Sequence, residues 1–212
     1  MPDIQYIGRS CVRVRGREGI IVYDPFPKAN GFDPGKITAN IVTVSGTDRE
    51  RFHPEAIKPA KERVVVVDGP GEYEVGGVMI AGVRTYRDDQ KGAQGGYNTI
   101  YVVQLDDMRF CHLGELGHDL TTHQLEEIGV IDVLFVPAHS SLGAAKLTEI
   151  IASIEPRAMI PLYERPEQLD RLAHELGIKE WEAQEKVSVT PSSLPAEGEE
   201  MRVIIMKPLM SG

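Results

Sequence analysis

The stretch Thr121-Thr-His-Gln-Leu-Glu-Glu-Ile-Gly129-Val-Ile-Asp-Val-Leu-Phe-Val-Pro137 decides the fold. Thr121 with Gln124 three residues later is a capping box, which satisfies two backbone donors at a helix start. Leu125 and Ile128 give the short helix an apolar face, and Gly129 stops it. Ile131–Val136 then reads as a buried strand that ends at Pro137. The alternation continues downstream. Leu147, Ile150, Ile151 and Ile154 share one helical face. Ala158–Leu162 is a strand. Pro166 opens a third helix with Leu169, Leu172, Ala173 and Leu176 inward and Gly177 as its stop. Val187–Thr190 and Arg202–Met206 are late strands.

Upstream of this alternation the chain is strand-rich. Ile4–Ile7, Cys11–Val14 and Ile20–Tyr23 are short β-like runs separated by Gly8 and by the turn from Gly16 to Gly19. Asp24-Pro25 stops the third run, and a Pro/Gly/Asn-rich loop reaches Gly35. Ile41–Val44 follows, and Val64–Val67 is apolar throughout, as for a strand covered on both faces. Gly76-Gly77 and Asp106-Asp107 each join two strand-like arms. Strands first, then helix–strand alternation, predict an α/β fold of two mixed sheets flanked by helices, in one domain spanning residues 1–212.

Composition bounds the function. The charged share is 26%, ordinary for a water-soluble domain, and no apolar run approaches the about 20 residues of a membrane span. The N-terminus lacks the basic and apolar regions of a signal peptide, so a cytoplasmic location is expected. A net charge of -9 opposes phosphate backbones and argues against nucleic acid. The two cysteines, Cys11 and Cys111, lie in apolar strand-like runs and read as buried free thiols. Nothing in the sequence assigns a partner; a homo-oligomer stays open.

Seven strings stand out in order along the chain: Tyr6-Ile-Gly-Arg-Ser-Cys11, Val22-Tyr-Asp-Pro25, Ile41-Val-Thr-Val-Ser45, Asp68-Gly-Pro-Gly-Glu-Tyr-Glu-Val75, Thr85-Tyr-Arg-Asp88, Cys111-His-Leu-Gly-Glu-Leu-Gly117 and Ile160-Pro-Leu-Tyr163. Taken together they resemble the metallo-β-lactamase superfamily in its small single-domain Zn-dependent hydrolase-like branch. The resemblance implies a four-layer αββα sandwich with a dinuclear metal site at one edge. It also implies hydrolysis by a metal-bridged hydroxide, which needs imidazoles and carboxylates that converge on the ions.

This chain departs from that ligand set. Where the family carries His-x-His-x-Asp-His, these four places read Gly46, Asp48, Glu50 and Arg51. The next family histidine corresponds to Arg87, the bridging aspartate to Glu115, the last histidine to Tyr163, and a histidine in the opening string to Arg9. Guanidinium stays protonated and has no lone pair to give a metal. Without the ions, the remaining carboxylates need another positive charge, and arginine supplies one in a planar fork. Arg51 and Arg87, with Arg9 as a third, are therefore expected to pair with Asp48, Glu50 and Glu115.

Among the histidines, His112, His118, His123 and His174 read as core, cap or surface residues. His53 and His139 fall nearer the expected pocket, and with Asp48, Glu50 and Glu115 they form a candidate substitute site. The resulting expectation is a pseudoenzyme with a degenerate metal site, no cofactor, and a binding or scaffold role. The candidate vestigial pocket is Asp48, Glu50, Arg51, Arg87, Glu115, Tyr163 and His139. The alternative is a hydrolase of an ester, lactone or phosphodiester. It would use one zinc or similar divalent ion, or a metal-free acid/base pair of Glu115 with Tyr163.

Overall fold

The computed structural model describes residues 1–27, 36–48 and 51–209. In chain order the elements are β1 Asp3–Gly8, β2 Cys11–Arg15, β3 Ile20–Tyr23, β4 Thr38–Ala39, β5 Ile41–Thr43, β6 Lys58–Pro59, β7 Val65–Val67, β8 Gly71–Val75, β9 Val78–Tyr86, β10 Tyr97–Leu105 and β11 Met108–His112. There follow α1 Thr122–Ile128, β12 Val133–Pro137, α2 Gly143–Ile154, β13 Ala158–Leu162, α3 Pro166–Glu175, β14 Val187–Ser188 and β15 Arg202–Val203. One sheet has the order β14-β1-β2-β3-β5-β7, the other β15-β13-β12-β11-β10-β9-β8, and β4 pairs with β6 in a small ribbon. Both large sheets are mixed. The first turns from antiparallel to parallel at β3–β5, the second at β11–β12.

The period-2 alternation of the strands explains the layers. In β10, Tyr101, Val103 and Leu105 face the other sheet, where they meet Tyr6, Val12, Ile21 and Tyr23. Ile100 and Val102 point the opposite way, into a core with Leu147, Ile150 and Ile151 of α2 and Leu172 of α3. Each fully buried aliphatic side chain contributes about 1.5–3 kcal/mol here. The Thr121–Gln124 box forms as predicted: Gln124 N–H donates to Thr121 Oγ1 at 3.2 Å, and Thr121 N–H to Gln124 Oε1 at 3.0 Å. The outer face of the first sheet is covered differently. Its described cover is the β4–β6 ribbon, the 3₁₀ turn Pro54–Ala56, and Phe26 and Phe52, which form an apolar cluster with Val22, Val42 and Val44.

One strand departs from its sequence reading. Val64–Val67 was expected to be covered on both faces, but β7 is an edge strand and Val66 is 42% exposed. An apolar run reports hydrophobicity, not the number of neighbours a strand will have. Cys11 and Cys111 are both buried and free, as expected.

The topology also positions the candidate site. β3 and β5 of one sheet, and β11, β12 and β13 of the other, all deliver their C-terminal ends to one edge of the sandwich. Thr99 N–H donates to Ser45 O at 2.8 Å across that edge, joining the two sheets. Open α/β sheets place their ligands where parallel strands end.

Candidate functional site

The floor of this edge is a set of buried polar side chains. Asp24 follows β3 with φ 44°, a left-handed conformation that aspartate tolerates. Its Oδ1 accepts from Ser45 N–H at 2.7 Å, while Oδ2 has no hydrogen-bond partner among the described residues. Burial pushes the Asp24 carboxyl up to about 7. His112, at the end of β11, lies 3.7 Å away, Nδ1 to Oδ2. That Nδ1 accepts from Gly114 N–H at 3.0 Å, so the ring proton sits on Nε2, which donates to Ser10 O at 2.8 Å. Burial lowers the His112 pKa to about 4, so the ring is neutral, stacked 5.3 Å from the Tyr23 ring.

Glu115 stands above this floor. Its N–H donates to Asn98 Oδ1 at 2.7 Å, and Asn98 is itself held by Nδ2 donations to Thr85 Oγ1 and Leu113 O at 2.7 and 3.0 Å. Gly114 makes the turn before it with φ 62°. A Cβ there would run into Asn98 and Ser45, so only glycine fits. Two guanidinium groups meet the Glu115 carboxylate. Arg51 Nη2 donates to Oε1, and Arg87 Nε lies 2.7 Å from Oε2. The Arg87 contact is one of charge without hydrogen-bond alignment, since Oε2 has no hydrogen-bond donor aimed at it. Burial raises the Glu115 pKa, and the neighbouring Arg51 and Arg87 only partly oppose it.

Arg87 is held by its backbone. Its N–H donates to Gly96 O at 3.1 Å, and the preceding Tyr86 O accepts from Gly117 N–H at 2.9 Å. A Cβ at Gly117 would collide with the Arg87 carbonyl, so this close approach needs glycine. His118 Nε2 accepts from Tyr86 N–H at 3.0 Å. Next in the chain, the Asp88 carboxylate gathers the loop that follows. It accepts from the N–H groups of Gln90, Gly92, Gln94 and Gly95. These amides, Gly95 foremost, lower its pKa to about 2. The stretch Lys91–Gly96 is thus wound around one side chain.

Arg51, Arg87, Glu115, His139, Ser140 and Ser141 line a cavity of 220 Å³. His139 is mostly buried there, with no hydrogen-bond partner for Nδ1 among the described residues. Burial lowers its pKa against the opposing charge of Glu164. Of the sequence-predicted residues, Arg51, Arg87, Glu115 and His139 therefore come together. Asp48 lies close by, its carbonyl accepting from Arg51 N–H and Phe52 N–H at 3.2 and 3.0 Å. Glu50 lies outside the described residues.

Two expectations, for Tyr163 and His53, need correction. Tyr163 does not pair with Glu115: its hydroxyl donates to Met206 O at 3.0 Å, and its ring packs 5.7 Å from that of Tyr6. The cause is the apolar core beneath β13, which takes the ring and leaves the hydroxyl facing the C-terminal segment. Arg9 sends Nε to Glu164 Oε1 at 2.9 Å, with φ of 55°, and its expected pairing with Glu50 involves a residue outside the described ones. His53 caps the 3₁₀ turn and faces Glu55 at 3.7 Å, on the exposed side of that turn. Sequence reasoning passed over Asp24, Ser45 and Asn98, and treated His112 only as a core residue, which it is. The spacing of polar residues at strand ends was the available signal.

A family model described as "Beta-lactamase superfamily domain" matches residues 3–163. The chain belongs to the metallo-β-lactamase superfamily. A crystal structure from Thermotoga maritima, described as a Zn-dependent hydrolase of that superfamily, is 27% identical with a TM-score of 0.74, covering 97% of this chain and 98% of the other. A Parabacteroides distasonis protein described as a metal-dependent hydrolase is 14% identical with a TM-score of 0.66, over 96% and 91% of the two chains. The metallo hydrolase Igni18 of Ignicoccus hospitalis is 13% identical with a TM-score of 0.61, over 98% and 95%. The last two likenesses speak to fold alone. No functionally curated protein matches the sequence significantly. The protein is thus metallo-β-lactamase-fold and metal-dependent-hydrolase-like. Among the described residues, no three His, Cys, Asp or Glu side chains are grouped to hold a metal, and no helix is long and apolar enough to cross a membrane.

Proposed function

We propose that this member of the superfamily has exchanged its dinuclear zinc ligands for an arginine–carboxylate cluster and serves as a non-catalytic binding protein. One observation carries the reading: Arg51 and Arg87 both converge on Glu115. The donor set does not suit two divalent ions. Two permanent cations repel a metal, offer it no lone pair, and engage the carboxylate that would bridge it. His112 commits Nδ1 to Gly114 N–H and Nε2 to Ser10 O, so its ring has no free electron pair for a metal. A cytoplasmic location fits the two free thiols, and an acidic chain is a poor partner for nucleic acid.

A second reading, a hydrolase with a rearranged mononuclear site, is favoured by Asp24 Oδ2 and His139 Nδ1, buried atoms without a hydrogen-bond partner among the described residues. Metal analysis separates the two. Protein purified without chelator or affinity tag is expected to hold well below one zinc, manganese or iron per chain and to leave an ester, lactone and phosphodiester panel uncut. Stoichiometric metal that is lost together with a hydrolytic activity would establish the second reading.

A further inference from the structure

The Arg51–Glu115–Arg87 cluster is more than a neutralised pair. It has two positive charges and one negative charge on the wall of a cavity, in a protein whose net charge is -9. Each guanidinium has five N–H donors in a planar fork. Glu115 takes one hydrogen bond from Arg51, and from Arg87 a close charge contact that is not aligned as a hydrogen bond. Among the described residues, no other acceptor engages either fork. Most of the donor capacity of both groups is therefore left over where they border the 220 Å³ space.

We propose that this cavity is an oxyanion-binding site, taking the phosphoryl, sulfate or carboxylate head of a small molecule, and that Glu115 is a tethered occupant which such a head displaces. The inference rests on the binding role proposed above and names its ligand class. Glu115 presents to the two arginines the oxygens that a free carboxylate or phosphate would present. It is a poorly held occupant: two guanidinium neighbours fail to offset the burial of its charge, so its carboxyl stays above its ordinary range. The rest of the wall suits a polar head. Ser141 is exposed at the rim, Ser140 Oγ already donates to Leu116 O, and His139 Nδ1 has no hydrogen-bond partner among the described residues. A larger cavity of 670 Å³ adjoins and shares Arg87, Gly95 and Ser141, giving the body of a ligand room beyond its head.

The test is calorimetric titration with sulfate, inorganic phosphate and acetate at constant ionic strength. It uses the full wild-type chain, Glu115→Gln, Arg87→Gln and Arg51→Gln. Saturable binding of at least one oxyanion to the wild type is expected. Removing the tethered competitor in Glu115→Gln should tighten it about tenfold or more, and either arginine variant should lose it. The ranking of the three probes tells a tetrahedral from a planar head. A folded Glu115→Gln that binds no more tightly than wild type overturns the proposal. If that variant does not fold, the wild type decides: no saturable binding, or binding that survives Arg87→Gln, overturns it. Stoichiometric metal with hydrolysis would instead defeat the non-catalytic reading. A metal-free, inactive protein that ignores all three anions would defeat only this one.

Discussion

Two buried aspartates at opposite ends of the sandwich take the same backbone shape and live in different chemistry. Asp24 and Asp106 have φ of 44° and 51° and are 1% and 5% exposed. Asp106, in the β10–β11 turn, accepts from the N–H groups of Arg17 and Glu18 and faces the N-terminal ammonium at 3.2 Å. These donors overcome the burial that would raise its pKa and hold it below the ordinary range. Among the described residues Asp24 has one backbone donor and an idle Oδ2, and burial raises its pKa to about 7. One end of the molecule is thus closed by satisfied polar groups. The other end leaves several unsatisfied, and there the cavity lies. Buried polar atoms without partners are uncommon in native proteins and concentrate where a ligand, water or proton has work to do.

The comparison can be broken first at its satisfied end. Asp106→Ala leaves the part-buried N–H groups of Arg17 and Glu18 without their acceptor, removes the partner of the N-terminal ammonium, and should cost about 3 kcal/mol in chemical denaturation. A loss near zero would mean that Asp106 is not the clasp its contacts describe. At the other end the sign reverses. The folded-state pKa of Asp24 is raised from 3.8 to about 7, so the folded protein holds a proton that the unfolded chain releases. Stability from this group is therefore full below about pH 4 and falls as pH rises toward 7. Asp24→Asn tolerates the same φ and can still accept from Ser45 N–H. It should be more stable than wild type at about pH 8, by about 2 kcal/mol, with the advantage gone near pH 4. Parallel stability curves for the two proteins across that range would contradict the assignment. The smallest effect belongs to the rim of the same end. Arg9→Ala removes a half-exposed pair with Glu164 and should cost about 0.5 kcal/mol while leaving oxyanion titrations unchanged.

Much of the fold was legible because its signals are local. The Thr121–Gln124 box, the helical spacing of Leu147 to Ile154 and the two-residue turns at Gly76 and Asp106 each depend on neighbours in sequence. The site was legible in part. Arg51 and Arg87 could be matched to Glu115 because guanidinium in a carboxylate-rich motif needs a counter-charge. Tyr163 could not be placed, since the side of a strand end that a side chain takes depends on the core below it. Asn98 shows the limit most clearly. Its role is to hold Glu115 from 17 residues away: the hairpin that pairs β10 with β11 was legible from its turn, but which side-chain atom would take the Glu115 N–H was not. Val66 failed for the mirror-image reason, because an edge and a centre strand can share one sequence.

The Asp88 loop has a consequence for how the cleft behaves. Gly92-Ala-Gln-Gly-Gly96 has the composition of a hinge, yet its amides are tied to a group that loses its charge only in strong acid. Over the whole range in which cells live, that wall should stay stiff and resist proteolytic nicking. Whatever enters the cavity therefore meets a mouth of set width on this side, and selection by size falls to the backbone around Gly95.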